Sequence, residues 1–415
     1  MPSELPLRDV RIADLGIITA GASATQVLAD LGADVIKVES ARYLDPFRHW
    51  PSGAQPSPGH ERLWDASPPF NVVNRSKRGV SLDLKHPLGR EAFLRLVAIS
   101  DVVVENFRRG VMEKLELGYE SLRKVRPDLV MASFGSQGRS GPEAGYSSYG
   151  STLDALSGIM SITGYGPDTP TWSSHEVNYP DQIVPLFGVA MILAGLHRRR
   201  LTGKGAYIDL SQRELTTSML GEVLLDYTVN GRVRQPQANR DFSMMPHGVY
   251  RCLGEDEWVA IAVEDDNQWM RLCAVIGRAD LVTDGRYATL TERRKHADEI
   301  DALLAEWTGK NEKRTAMEVL QRAGVPAGAV LNGRDMLDDP QLKARKFYRL
   351  VEHPVGGPQM QRGWPFHLSQ TPAEVRSPAP CFGEHTHEVL GGLLGYSEEE
   401  IVRLEAAGVI GYRPA

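Results

Sequence analysis

The sequence predicts an α/β protein with a large doubly wound, mostly parallel sheet and a smaller α+β domain. Three observations carry that reading. Short apolar runs alternate with helical spacing from Val10 to Ser211. A polar, proline-bearing stretch, NGRVRQPQANRDFSMMPHG, then interrupts the pattern. A hairpin and a run of helices follow it, and the last part of the chain changes character again.

The elements follow in order. Val10–Leu15 (VRIADL) reads as a strand, GIITAGAS as a turn of small residues, TQVLADLGA as a helix and DVIKVES as a second strand. That is the size of one βαβ unit. GVSLDLK, DVVVENF, DLVMASFG and AYIDLS continue as strands, with GREAFLRLVAIS and YESLRKVR as helices between them. Alternation of this kind gives a Rossmann-like parallel sheet with helices on both faces. A long apolar helix is expected from about Asp181 to Arg199. VYRCLG and EWVAIAV make a hairpin, helices run from about Asn267 to Arg322, AGVPAGAV turns into a short strand, and SEEEIVRLEAAG is an acidic helix. The domains expected are 1–227, 228–335, and a C-terminal segment 336–415 returning to the first.

Composition bounds the function. The chain has 415 residues, with 47 Lys+Arg against 53 Asp+Glu, a net charge of −6. Such a balance gives no general reason to bind nucleic acid or an anionic membrane, so an anionic ligand must be met by a local basic site. Three cysteines, Cys252, Cys273 and Cys381, are too few for a disulfide scaffold, and free thiols in a reducing cytoplasm are expected. No signal peptide is evident, and the most apolar stretch, Ile183–Leu196, reads as a buried helix too short to span a bilayer.

Ligands of a doubly wound sheet lie beyond the carboxyl ends of its strands. Here those ends are Gly16–Gly21, Glu39–Arg42, Glu105–Arg109 and Gly135–Gly141. Arg42, Arg75, Lys77, Arg78, Arg108, Arg109 and Lys114 recur near strand ends and suit a polyanion such as a nucleotide diphosphate. There is no GxxxxGK[ST], HExxH, CxxC or GxSxG, and GIITAG is not GxGxxG. His385 and His387 read as loop residues, and no metal is expected.

Asp181 precedes some fifteen apolar residues. One reading makes it the helix N-cap. The other makes it a nucleophile, with the helix N-terminus holding its pKa down.

The sequence resembles the family III CoA-transferases, the group of the formyl-CoA, carnitine and bile-acid enzymes. The blocks that carry the resemblance are VLADLGADVIKVES, NRSKRGVSLDLKHPLGREAF, DVVVENFRRGVMEKLELGYESL, the segment from YPD to HRRRLTGKGAYIDLSQRE, AGVPAGAVLNGRDMLDDPQLKARKF and PAPCFGEHTHEVLGGLLG. The resemblance implies that Asp181 is the catalytic carboxylate. It implies that coenzyme A is held by Thr19, Ala20, Arg42, Asn74, Arg75, Lys77, Asn106, Phe107, Arg108, Lys114, Gly135 and Gln137. It implies acyl-CoA and organic-acid substrates, no permanently bound cofactor, and a homodimer of two interlaced chains. An acyl-CoA racemase of the same fold would carry a histidine where Tyr149 stands before ALSG. A noncatalytic CoA-binding protein is the remaining alternative. Phe242, Met244 and Met245 suggest an apolar acceptor pocket or simple core packing; Trp172, His175 and Tyr179 precede Asp181 and suit the pocket wall or loop packing.

Overall fold

A computed structural model describes residues 5–50, 62–166, 168–173 and 178–415. His175 lies outside them. The strands are β1 Arg11–Leu15, β2 Asp34–Glu39, β3 Arg78–Ser81, β4 Val102–Glu105, β5 Val130–Gly135, β6 Ala206–Ser211, β7 His247–Arg251, β8 Trp258–Ala262, β9 Ala327–Ala329, β10 Tyr348–His353 and β11 Gly357–Arg362. The helices are α1 Ala20–Asp30, α2 Pro68–Asn74, α3 Pro87–Ala98, α4 Val111–Lys114, α5 Tyr119–Val125, α6 Gly150–Ser157, α7 Tyr179–Thr202, α8 Gln212–Ser218, α9 Gly221–Asn230, α10 Asp266–Val275, α11 Leu290–Lys295, α12 Ala297–Thr308, α13 Lys313–Arg322, α14 Gly333–Asp338, α15 Pro340–Ala344 and α16 Glu398–Ala406.

The first six strands form one parallel sheet in the order β3-β2-β1-β4-β5-β6. Strand order reverses between β1 and β4, which opens a crevice at their carboxyl ends. Alternation along each strand divides the core. Ala13, Leu15, Val103 and Met131 face Phe93, Leu96, Leu122, Ile401 and Leu404, from α3, α5 and α16. Ile12, Val102, Val104 and Phe134 face Ala24, Leu28, Val184 and Ile192, from α1 and α7. Burying each large apolar side chain is worth roughly 1.5–3 kcal/mol.

The chain divides into two compact units, 1–160 with 172–232 and 344–415, and 161–171 with 233–343. Boundaries at 228 and 335 leave 161–171 with the first domain, whereas that segment belongs to the second unit. The second unit has the antiparallel sheet β7-β8-β9. Its core includes Met245, Trp269, Leu272, Leu304 and Leu320. Met245 therefore packs this core, and Phe242 is exposed. Cys252, Cys273 and Cys381 are buried and unpaired. His385 Nδ1 accepts the Gly79 N–H at 3.2 Å, a backbone contact that ties the C-terminal segment to β3.

α7 is longer than the sequence pattern suggested. Its 24 residues make it the one helix among the described residues long and apolar enough to cross a membrane, yet Val184, Val189 and Ile192 pack it on β5.

Candidate active site

A cavity of ≈ 620 Å³ opens where the sheet topology puts a ligand. Its wall comes from the carboxyl ends of β1, β2, β4 and β5, the loop after β3, and the first turns of α6 and α7.

The turn after β1 is clamped from four sides. The Gly16 N–H donates to Asp14 Oδ1 at 2.8 Å, and Lys37 Nζ donates to the Gly16 carbonyl at 2.7 Å. Asn106 binds both faces of Ile17, accepting its N–H at 2.8 Å and donating to its carbonyl at 3.0 Å. Asp45 accepts the Ile18 N–H at 3.1 Å while pairing with Lys37 at 2.9 Å. Ile18 has φ +56°, a left-handed conformation that a β-branched residue does not adopt unforced. The clamps hold it there, so the backbone facing the cavity is set before any ligand arrives.

Cations ring the same opening. Arg42, Lys85, Arg108 and Arg109 all line the cavity and are exposed. Lys85 was hidden inside a presumed strand; β3 stops at Ser81, so Leu82–Lys85 form loop at the ligand edge.

Of the residues singled out from sequence, Thr19, Ala20, Arg42, Asn106, Phe107, Arg108, Gly135 and Asp181 line the cavity. Asn74, Arg75 and Lys77 do not. Their segment leads into β3 at its amino end, and their polar groups are spent inside. Arg75 pairs with Asp30 at 2.8 Å. Lys77 Nζ lies 2.9 Å from Asp14 Oδ2 and donates to Asn74 Oδ1 at 2.8 Å. Burial pulls the Lys77 ammonium down to about 8, against the attraction of Asp14. These are struts beneath the β1 turn. Arg78 is paired with Asp34 and Glu388. Lys114 is exposed on α4 and is not itself a lining residue, although its neighbours Val111 and Leu115 are, and Gln137 Nε2 donates to Ser148 Oγ at 3.0 Å.

Asp181 is the third residue of α7; the N-cap is Asn178. The Tyr179 N–H, first of the orphan donors, goes to Ser173 Oγ at 2.8 Å. Ser173 in turn donates from both its N–H (2.8 Å) and its Oγ (2.7 Å) to Asp154 Oδ2. Asp154 is fully buried on α6, and its Oδ1 has no hydrogen-bond partner. The Asp181 carboxyl is pushed up to about 6, first by burial and then by the negative charge of Asp154. The direction is opposite to that expected of a carboxylate held down by a helix N-terminus, and burial is its largest cause. Pro185, four residues on, has no N–H to give the Asp181 carbonyl. Gly150 opens α6 so close to Asp181 that a Cβ there would lie 2.6 Å from Asp181 Oδ2 and 2.4 Å from Asn178 Cβ.

Tyr149 lines the cavity as the N-cap of α6, and its N–H donates to Thr152 Oγ1 at 2.8 Å. Tyr146 and Gly150 also line the cavity and were not singled out from sequence, and Arg139 was covered only by the Gly135–Gly141 strand end. Spacing gives no sign of them, because a loop brings them in.

Residues 7–386 match the family model described as CoA-transferase family III. The chain is 34% identical over 406 residues to a succinyl-CoA–D-citramalate CoA-transferase of Chloroflexus aurantiacus, covering 98% of each chain. It is 34% identical over 388 residues to a succinate–glutarate CoA-transferase of Agrobacterium fabrum, covering 94% of this chain and 96% of that one. Among solved structures, a CAIB/BAIF family protein from Brucella suis superposes with a TM-score of 0.85 at 31% identity, over 94% of this chain and 99% of that one.

Proposed function

The chain belongs to CoA-transferase family III and is a CoA-transferase, and from that premise we propose that it moves coenzyme A between carboxylic acids through Asp181. The observation that carries the reading is a half-dehydrated carboxylate, pushed up to about 6, on the wall of a cavity ringed by cations. Such a group is ionised at pH 7, yet is less stabilised by water than an ordinary carboxylate, which favours attack.

The steps balance without a proton moving. An Asp181 oxygen attacks the thioester carbonyl carbon of the donor; the C–O bond forms, the C–S bond breaks and CoA leaves as thiolate. The thiolate attacks the Asp181 carbonyl carbon of the mixed anhydride, releasing the donor acid and leaving an aspartyl-CoA thioester. The acceptor carboxylate attacks that thioester carbonyl, giving a second anhydride and thiolate again. The thiolate then attacks the acceptor's acyl carbon, and Asp181 returns. Every nucleophile is already an anion, so no general base is called for.

Arg42, Lys85, Arg108 and Arg109 take the phosphates of CoA in this reading, and the clamped Gly16–Thr19 turn supplies a fixed backbone beside them. The names of the relatives support succinyl-CoA as donor. Exposed apolar side chains on α7 and α9 support a second copy as partner, in the interlaced arrangement.

Hydroxylamine trapping tests the mechanism. With succinyl-CoA present, the peptide bearing Asp181 gains a hydroxamate detectable by mass spectrometry. D181A gains none and loses turnover, while its CoA affinity stays within a few-fold. A wild-type protein that binds succinyl-CoA but leaves Asp181 unmodified is a binding protein rather than a transferase of this mechanism.

A further inference from the structure

Arg139 is unlike the other cations of the cavity. It follows β5, in the loop Gly135–Gly141, and lines the same cavity as Asp181. Its side chain is only 11% exposed, whereas that of Arg42 is 67% exposed. One guanidinium nitrogen, Nη2, pairs with Glu105 Oε1. The Nε and Nη1 donors are shut away from water and have no acceptor. Its backbone N–H is taken by Asp209 at 3.1 Å.

A guanidinium carries its N–H donors in a rigid planar fork and has no acceptor of its own. Leaving a buried donor unpaired costs about 1–3 kcal/mol. A ligand oxygen that meets the Nε and Nη1 donors once the Gly135–Gly141 loop adjusts around a bound acyl chain recovers that cost. The chemistry selects the acceptor. The exposed cations lie beyond β2, β3 and β4 and are hydrated, which suits phosphates. Arg139 lies beyond β5, the strand on which α7 packs through Phe134 and Val184. Its pair with Glu105 has no net charge, so it offers directional N–H bonds rather than a field. A planar carboxylate matches that offer better than a phosphate dianion does.

We propose that Arg139 sets acyl-group specificity by binding the distal carboxylate of a dicarboxylic acyl chain whose other carboxyl carries the thioester. The assignment rests on the CoA-transferase reading above.

Isotope exchange tests it with two nearly isosteric pairs. Succinyl-CoA with labelled succinate carries the distal carboxylate; butyryl-CoA with labelled butyrate lacks it. In the wild type, kcat/KM for succinyl exchange exceeds that for butyryl exchange by at least ~100-fold, because a site built to bond a polar group rejects the analogue without it. In R139Q the ratio collapses to within about threefold of one, and R139K restores part of it. A wild type without the preference, or an R139Q variant that slows both exchanges in parallel, overturns the assignment. The double variant R139Q/E105Q removes the buried charges together; should neither variant fold, wild-type exchange of monomethyl succinate decides, and a rate equal to that of succinate overturns the assignment. A folded wild type that exchanges neither pair and leaves Asp181 unmodified overturns the transferase reading itself.

Discussion

At Asp181 two demands oppose each other. In the proposed mechanism the carboxyl must ionise to attack, but burial and the charge of Asp154 hold the proton on until about pH 6. Between the ordinary carboxylate range near 4 and about 6, the folded state keeps a proton that the unfolded chain has released. Stability from this group is therefore fully present below that window and falls as pH rises through it, by about 3 kcal/mol at most for a shift near two units. Activity runs the other way. The rate of acyl-enzyme formation should fall about tenfold per pH unit below about 6. D181N should melt a few degrees above the wild type at pH 7 and level with it at pH 4. D154N keeps an acceptor for Ser173 and removes only the second cause of the shift, so its acid limb should move down but stay above that of an ordinary carboxylate. Stopped-flow rates and thermal melts across pH 4–8 measure both; an acid limb at 4 in the wild type contradicts the account. Asp181 itself stood out in the sequence as a lone carboxylate before an apolar helix. Its neighbour Asp154 did not, because the two meet only when α6 packs beside α7.

Elements decide how tightly that carboxylate is held. α6 and α7 touch through Gly150, where a methyl group would meet Asn178 and the Asp181 carboxylate at once. G150A should fold, since the position is the first of its helix, but displace Asp181; a misplacement of about 1 Å costs on the order of 100-fold in kcat. KM for succinyl-CoA should change far less, because the cations of β2 and β4 are untouched. Steady-state kinetics separate the two, and equal losses in both would contradict the contact's role. The strands were legible because buried parallel strands announce themselves as Val- and Ile-rich runs. α1 was read as starting at Thr25 but begins at Ala20. Its Gly and Ala residues look like a turn by composition. They are small because α1 lies against the β4 end: a Cβ at Gly21 would sit 2.8 Å from Asn106 Oδ1. The same blindness placed Arg75 and Lys77 among the ligand contacts, since charge near a strand is visible in a sequence and the end of the strand it serves is not.

The whole molecule leaves an apolar surface that its own fold does not use. In the first unit, Leu186 on α7 is 62% exposed, and Leu225 and Val229 on α9 are 61% and 75% exposed. Apolar surface left in water forgoes roughly 25 cal/mol for every Å² a partner would cover, so these exposed side chains are candidates for an interface. The path of the chain adds a constraint. It leaves the first unit after residue 232 and rejoins it at 344, so that unit is built from separate stretches of the chain. In the interlaced arrangement proposed above, each chain passes through the other and cannot be removed while both stay folded. Sedimentation equilibrium should give a dimer of the 45.8 kDa chain, and L186E/L225E should weaken it. Subunit exchange tests the linkage itself. When isotopically labelled and unlabelled dimers are mixed, mixed dimers should form only as fast as the protein unfolds globally, and denaturant should raise both rates together. Two chains resting side by side would instead exchange at a rate set by interface dissociation, with no change in far-ultraviolet circular dichroism. Mixed dimers appearing well before any unfolding would leave the apolar face as an interface but remove the interlacing.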